Sequence, residues 1–169
     1  LMQPFIRYGN GRVEGGSSNL APLTQMMDVN GLDAWAYYNT SDRDIISKMA
    51  YYDLRTSFLN APVYNFEDHI IQDGTVVDYN DNELKFNLTD LWQGAIHGRG
   101  GSIIWVWDRG SRNGQLYVNS LLAARPAHMA EIGKLNLDLN RLSEEIVKIQ
   151  DTKPNVAMLY SINSLAWSP

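Results

Sequence analysis

The stretch Asn60-Ala-Pro-Val-Tyr-Asn-Phe-Glu-Asp-His69 puts two acids and an imidazole, Glu67, Asp68 and His69, at the end of an apolar run. It reads as a turn followed by a buried strand, Pro62 to Phe66, whose last step delivers the Glu67 carboxylate to the strand's C-terminal end. Adjacent strand residues point to opposite faces. Asp68 and His69 therefore cannot both flank Glu67, and His69 shares the Glu67 side if the strand persists. A lone Glu at a strand end is usually a solvated loop acid or a salt-bridge partner. A second strand of the same kind, Ser102-Ile-Ile-Trp-Val-Trp-Asp108, follows one helical segment later. Short apolar strands, preceded by helices and ending in an acid, are how a (β/α) barrel sets reactive groups on its C-terminal rim.

The elements that must hold these residues follow from periodicity. Gln3 to Tyr8 suits a short strand, and Gly9 to Ser18 is a glycine-rich loop. That loop does not open a helix directly, so it lacks the context of a dinucleotide or phosphate site. Leu20 to Val29 is predicted helical, and Leu32 to Tyr38 a strand. Ser41 or Asp42 caps a helix reaching about Asn60, with Ile45, Met49, Tyr52 and Leu59 at helical spacing and Pro62 beyond its end. Gln72 to Asn82 is a polar loop on the side where substrates are met. A helix from Asp90 to His97, opened by Asn87 or Thr89, stops at Gly98-Arg-Gly-Gly101. After the Trp105/Trp107 strand, Arg109 to Ala127 is loop-like. From His128 to Gln150 the residues Met129, Ile132, Leu135, Leu139, Leu142, Ile146 and Ile149 form one long apolar stripe. Asn155 to Ser161 reads as one more buried strand.

Strands alternating with helices predict an α/β fold with parallel strands. The expected architecture is half of a (β/α)8 TIM barrel over residues 1–127, since a whole barrel needs roughly 200–250 residues. A long bridging helix and the first strand of a following domain would then occupy 128–169. Four βα units leave open strand edges, which implies self-association or a larger polypeptide.

Composition narrows the partners. The chain carries 14 Lys and Arg against 19 Asp and Glu, for a formal charge of −5, with 44% hydrophobic residues. No basic block prepares a groove for nucleic acid. With no cysteine, disulfides, thiolate metal sites and cysteine nucleophiles are excluded together. The three histidines are far apart and lack metal-ligand spacing, so neither a zinc site nor any other cofactor is expected. No apolar run approaches the roughly 18 residues of a membrane span, and the first residues do not form a signal peptide. Asn39-Thr-Ser41 and Asn87-Leu-Thr89 fit the glycosylation sequon.

Several of these stretches together resemble family-42 glycoside hydrolases, the β-galactosidases of a (β/α)8 barrel with a trimerisation domain behind it. Ala95-Ile-His-Gly-Arg-Gly-Gly-Ser-Ile-Ile-Trp-Val-Trp107 is similar to the family's eighth-strand region, roughly A-H-G-A-D-G-V-L-Y-F-Q-W. Leu32-Asp-Ala-Trp35 resembles its L-D-V-V strand, Tyr52-Asp-Leu-Arg-Thr-Ser57 its D-L-x-R-S helix, and Pro62-Val-Tyr-Asn-Phe-Glu67 its seventh strand, P-F-x-x-M-E. Glu131-Ile-Gly133 and Val156-Ala-Met-Leu159 are similar to the E-L-G helix and to the V-A-L-L strand that opens a flavodoxin-like domain.

The resemblance implies a glycosidase acting on β-linked sugars, with Glu67 as nucleophile. It places Trp107 at the floor of the sugar site, with Trp105 as a second flat face, and Tyr38, or Tyr37 as its alternative, near the nucleophile. His69 is placed to contact a substrate hydroxyl. Asp108, the Asp68-His69 pair and the loop from Gln72 depart from the family pattern, which bears on galactose specificity. Retaining hydrolysis needs two carboxyl groups roughly 5–5.5 Å apart. The family carries its acid in an Asn-Glu pair on the fourth strand, and this chain is expected to start near the fifth, so the isolated chain is expected to be inactive. The rival expectation is a carbohydrate-binding or interaction module that keeps the aromatic floor and is indifferent to Glu67.

Overall fold

A computed structural model describes residues 25–34, 36, 42–59, 61–70, 81–105, 111–112, 115–116, 125–159 and 161. Strand β1 is Asn30–Leu32, helix α1 Asp42–Phe58, strand β2 Val63–His69, helix α2 Asp81–Ile96 and strand β3 Arg99–Trp105. A short antiparallel pair follows, β4 (Ser111–Arg112) and β5 (Gln115–Leu116), and then helices α3 (Pro126–Arg141) and α4 (Ser143–Gln150). The first three strands form a parallel sheet in the order β1-β2-β3, with Asn30 opposite Val63 and Val63 opposite Arg99. The α/β class and the parallel pairing agree with the alternation in the sequence.

Each strand sorts its side chains by period two. Leu32 and Ala34 from the β1 end and Val63 from β2 bury against Met49 and Tyr52 of α1. Ile70, beyond β2, packs with Leu91 of α2 and Ile132 and Leu135 of α3, and Ile104 of β3 joins that cluster. All of this apolar burial lies on the helix side of the sheet. The other face carries Gly31, Tyr64, Phe66, Gly101 and Ile103, and Ile103 is 58% exposed. Close approach explains its glycines. A Cβ on Gly31 would sit 2.0 Å from the Phe66 ring, and one on Gly101 2.6 Å from Tyr64. The two rings stack at 6.1 Å, lying over the neighbouring strands' backbones.

Two residues connect α2 to β3. Gly98 has φ +97°, donates its N–H to Ala95 O at 3.2 Å, and accepts from the Val63 N–H at 3.2 Å. It ends the helix and hands the chain to the strand beside β2, a left-handed cap that glycine adopts without penalty. Its absent Cβ would also meet Thr56 Cγ2 at 2.4 Å. Gly98→Ala is expected to lower stability by about 1–3 kcal/mol, read as a shifted urea midpoint at constant slope.

Several boundaries differ from expectation. Residues 25–29 form a turn with Met26 and Met27 exposed, in place of the end of a helix. The strand expected over Leu32 to Tyr38 begins at Asn30 and ends at Leu32, because Ala34 is held by the side chain of Asn65 and not by a ladder bond. Helix α2 begins at Asp81, not near Asp90: Leu84, Asn87 and Leu91 form one buried face through the segment read as a loop. Asn87 is 0% exposed in that helix, so the folded chain cannot present its sequon.

The single bridging helix is two helices. The chain turns at Leu142, whose N–H still bonds Asp138 O at 2.9 Å, and α4 restarts with Ile146 buried. Gln150 Nε2 then donates to Ala95 O at 2.6 Å, tying α4 to the last turn of α2. Residues 155–159, expected as a buried strand, are neither helix nor strand, with Val156 83% and Leu159 91% exposed. No helix among the described residues is long and apolar enough to cross a membrane.

Candidate functional site

The site is built where β2 departs from regular pairing. Register shifts between Asn65 and Asp68 against β3 mark a bulge, which lets Val63, Asn65 and Asp68 all face the helices. Bulges re-aim side chains in this way. Glu67 and His69 are thereby left together on the open face. His69 Nε2 lies 3.0 Å from Glu67 Oε1, so the imidazole hydrogen-bonds the carboxylate through that nitrogen. The Glu67 side chain is 36% exposed and that of His69 11%. One wall of His69 is Trp105, at the end of β3, with ring centroids 5.7 Å apart and a tilt of 33°.

Asn65 fixes the neighbouring strand end against this pair. Its Nδ2 donates to Ala34 O at 2.7 Å and to the Tyr52 hydroxyl at 3.1 Å, while its Oδ1 accepts from the Ala34 N–H at 3.3 Å and from the Glu67 N–H at 3.4 Å. One fully buried amide thus locks the residue after Asp33 to the backbone of Glu67. Asp33 is half-buried, and one ligand atom from each of Asp33, Glu67 and His69 lies within 4.8 Å of the other two. This mixed nitrogen and oxygen set is the group of described residues able to hold a metal ion.

On the helix side, directly behind Glu67, Asp68 anchors a buried ionic network. Lys48 Nζ of α1 lies 2.7 Å from Asp68 Oδ1 and 2.7 Å from Asp90 Oδ2 of α2. Arg99 Nη1 at the start of β3 lies 2.9 Å from Asp68 Oδ2, Nη2 donates to Leu91 O at 2.7 Å, and Ser102 Oγ donates to Asp68. Burial alone would raise the Asp68 carboxyl; the charges of Lys48 and Arg99 and the bonds from Lys48 and Ser102 outweigh it and hold that carboxyl below the usual range. Asp90 goes the other way. Burial and the like charge of Asp68 raise it despite Lys48, and its Oδ1 is buried with no hydrogen bond among the described residues. Lys48 is held well above its ordinary 10.5: burial works to lower it, and the two aspartates win. The Tyr52 hydroxyl is pushed up to about 12, chiefly by burial.

Against the sequence-based expectations, Glu67, His69 and Trp105 come together on one face. Trp107 and Tyr38, with Tyr37, lie outside the described residues. Asp68 belongs to the structural network and not to the site. The histidines do not converge: His97 Nδ1 pairs with Asp53 Oδ1 at 2.7 Å, and His128 is buried at the start of α3. Sequence reasoning missed Asp33, Asn65 and the Lys48 network. Lys48 did leave a trace, since it lies on the same helical face as Ile45, Met49 and Tyr52, where a cation must have a buried partner.

No protein-family model matches the chain, and no curated protein matches it. Among solved structures it is similar to a catalytic mutant of Gan42B, a GH42 β-galactosidase from G. stearothermophilus, with a TM-score of 0.66 and 15% sequence identity. The likeness covers 91% of this chain and 24% of that one. What the two share is the fold. The chain thus spans about a quarter of the length of that β-galactosidase chain.

Proposed function

We propose that this chain is the C-terminal half of a (β/α)8 barrel and its junction to a following domain, and that it serves retaining hydrolysis of β-linked sugars with Glu67 as nucleophile. The observation that carries this reading is the half-exposed Glu67 carboxylate at the C-terminal part of a parallel strand. It is oriented by His69 at 3.0 Å and stands beside the Trp105 ring system that packs on that imidazole. The fold likeness to part of a β-galactosidase supports it. Galactosides are the substrates that this likeness favours.

In the step assigned to Glu67, a carboxylate oxygen forms a bond to the anomeric carbon as the bond from that carbon to the leaving oxygen breaks. The leaving oxygen must take up a proton from an acid. Water then attacks the same carbon, giving its proton back to that acid's conjugate base, which releases the carboxylate and restores the starting configuration. The hydrogen bond to Oε1 holds the carboxylate in one rotamer and leaves Oε2 to attack. Trp105 offers an apolar plate for the C–H face of a pyranose, and Trp107 and Tyr38 are assigned the remaining walls.

A 2-deoxy-2-fluoro-β-galactosyl fluoride tests the first half of this chemistry, because its leaving group needs no protonation and its slowed second step lets the covalent adduct accumulate. Intact-mass spectrometry is expected to show one added glycosyl unit, mapped by proteolysis to the peptide holding Glu67 and absent from Glu67→Gln. A wild-type chain that takes up no label, or one labelled equally in Glu67→Gln, removes Glu67 from the role. Sugar binding that persists in Glu67→Gln without any labelling favours a carbohydrate-binding module.

A further inference from the structure

We infer that Asp33, Glu67 and His69 form a binding site for one divalent transition-metal ion, with zinc as its natural probe. The three residues come from the ends of two neighbouring parallel strands and offer one imidazole nitrogen and two carboxylates, the donor types that zinc accepts in sites with an open coordination position. Their ligand atoms already lie within 4.8 Å of one another. The edge between His69 Nε2 and Glu67 Oε1 is 3.0 Å, against about 3.4 Å for two ligands each about 2.1 Å from a tetrahedral ion, so an ion enters by replacing the hydrogen bond between them with a small widening.

Charge favours occupation. Two carboxylates converge on this face, while Lys48 and Arg99 are committed to Asp68 and Asp90 on the opposite one. Shielding favours it too. His69 is 8% exposed and packed by Trp105, and Asp33 Oδ1 is buried, so two of the three ligands are shielded while the Glu67 side remains open to solvent. The Asn65 clamp keeps the two strand ends in register, which lowers the ordering cost of assembling ligands from separate strands.

This inference stands apart from the glycosidase reading, since it concerns metal binding alone. If both hold, they exclude each other in time. A zinc ion on Glu67 ties up the electron pair that would attack the anomeric carbon, so stoichiometric zinc should block the fluoroglycoside labelling and a chelator should restore it.

Calorimetric titration of the metal-free chain with zinc is expected to show one ion per chain. Asp33→Asn, Glu67→Gln and His69→Gln should each weaken it by at least about tenfold, while His97→Gln, at a histidine paired with Asp53 on another surface, should not. Cobalt(II) added to the unaltered chain should develop visible d–d absorption at one equivalent, a readout that needs no variant to fold. Absence of that absorption, of stoichiometric zinc, or of any difference between the site variants and His97→Gln overturns the inference.

Discussion

Asp68→Ala is expected to destabilise the chain by about 3–5 kcal/mol. The substitution leaves Arg99 and Lys48 buried with only Asp90 to balance both, and Ser102 without its acceptor. Since single domains hold only about 5–15 kcal/mol, that is a large share of the folding free energy. The contrasting variant is the pair Lys48→Met with Asp90→Leu, which removes one cation and one anion and leaves Asp68 with Arg99. Replacing a buried pair by apolar side chains is often neutral or better, so that double variant should lie within about 2 kcal/mol of the parent. Urea unfolding of the three proteins gives the comparison. A single and a double variant of equal stability would mean that the unbalanced buried charge is not the source of the loss.

The same network sets a pH dependence with a definite sign. Asp68 is held below its ordinary 3.8 in the folded chain. Its contribution is therefore present above that value and lost as pH falls through the depressed folded pKa. Lys48, raised above 10.5, contributes fully below that value and loses the contribution as pH rises through its folded pKa. The stability gap between wild type and Asp68→Ala should shrink as acid protonates Asp68, while Asp90, whose carboxyl the charge of Asp68 helps to raise, adds a contribution of opposite sign that narrows the gap as pH rises through its titration.

Asn65→Ala is expected to cost roughly 2–4 kcal/mol and to loosen the site as well. Four partners lose their bonds at once, the Ala34 N–H, the Ala34 carbonyl, the Tyr52 hydroxyl and the Glu67 N–H, and Asn65 is 0% exposed, so water does not readily replace them. Tyr52→Phe removes only one of these bonds and should cost about 1 kcal/mol. The functional readout separates a positioning role from a merely structural one. With Asp33 and Glu67 no longer tied through one amide, misplacement near 1 Å should slow fluoroglycoside labelling on the order of 100-fold, measured where the variant is still folded. Tyr52→Phe should leave that rate within a few-fold of the parent. Equal labelling rates in both variants would show that Asn65 stabilises the strand without aiming its residues.

The elements were legible where stereochemistry is local. Pro62 before β2 and Gly98 after α2 punctuate the chain as expected, and α1 follows its Ile45, Met49 and Tyr52 spacing. Errors arose where tertiary contacts override the pattern. The start of α2 was hidden because Asn87 and Asp90, polar by type, are buried on the same face as Leu84 and Leu91. The apolar stripe continues through Leu142 and so concealed a break that is visible only in the backbone, where Leu142 departs from helical geometry before α4 begins.

By itself the sequence determined that strands and helices alternate, that the strands run parallel, and that Glu67 stands near the end of one with His69 on its side. These follow from periods of two and 3.6 and from where proline and glycine interrupt them. Only the tertiary structure decided that Asp33 joins that pair, that Asn65 couples the two strands, and that Asp68 is spent on Lys48 and Arg99. Those relations depend on strand register and on a bulge, which arise when residues 20 to 42 positions apart bury their polar groups against one another. No local pattern encodes which buried donor will meet which acceptor, because that choice belongs to the packed sheet and helices as a whole.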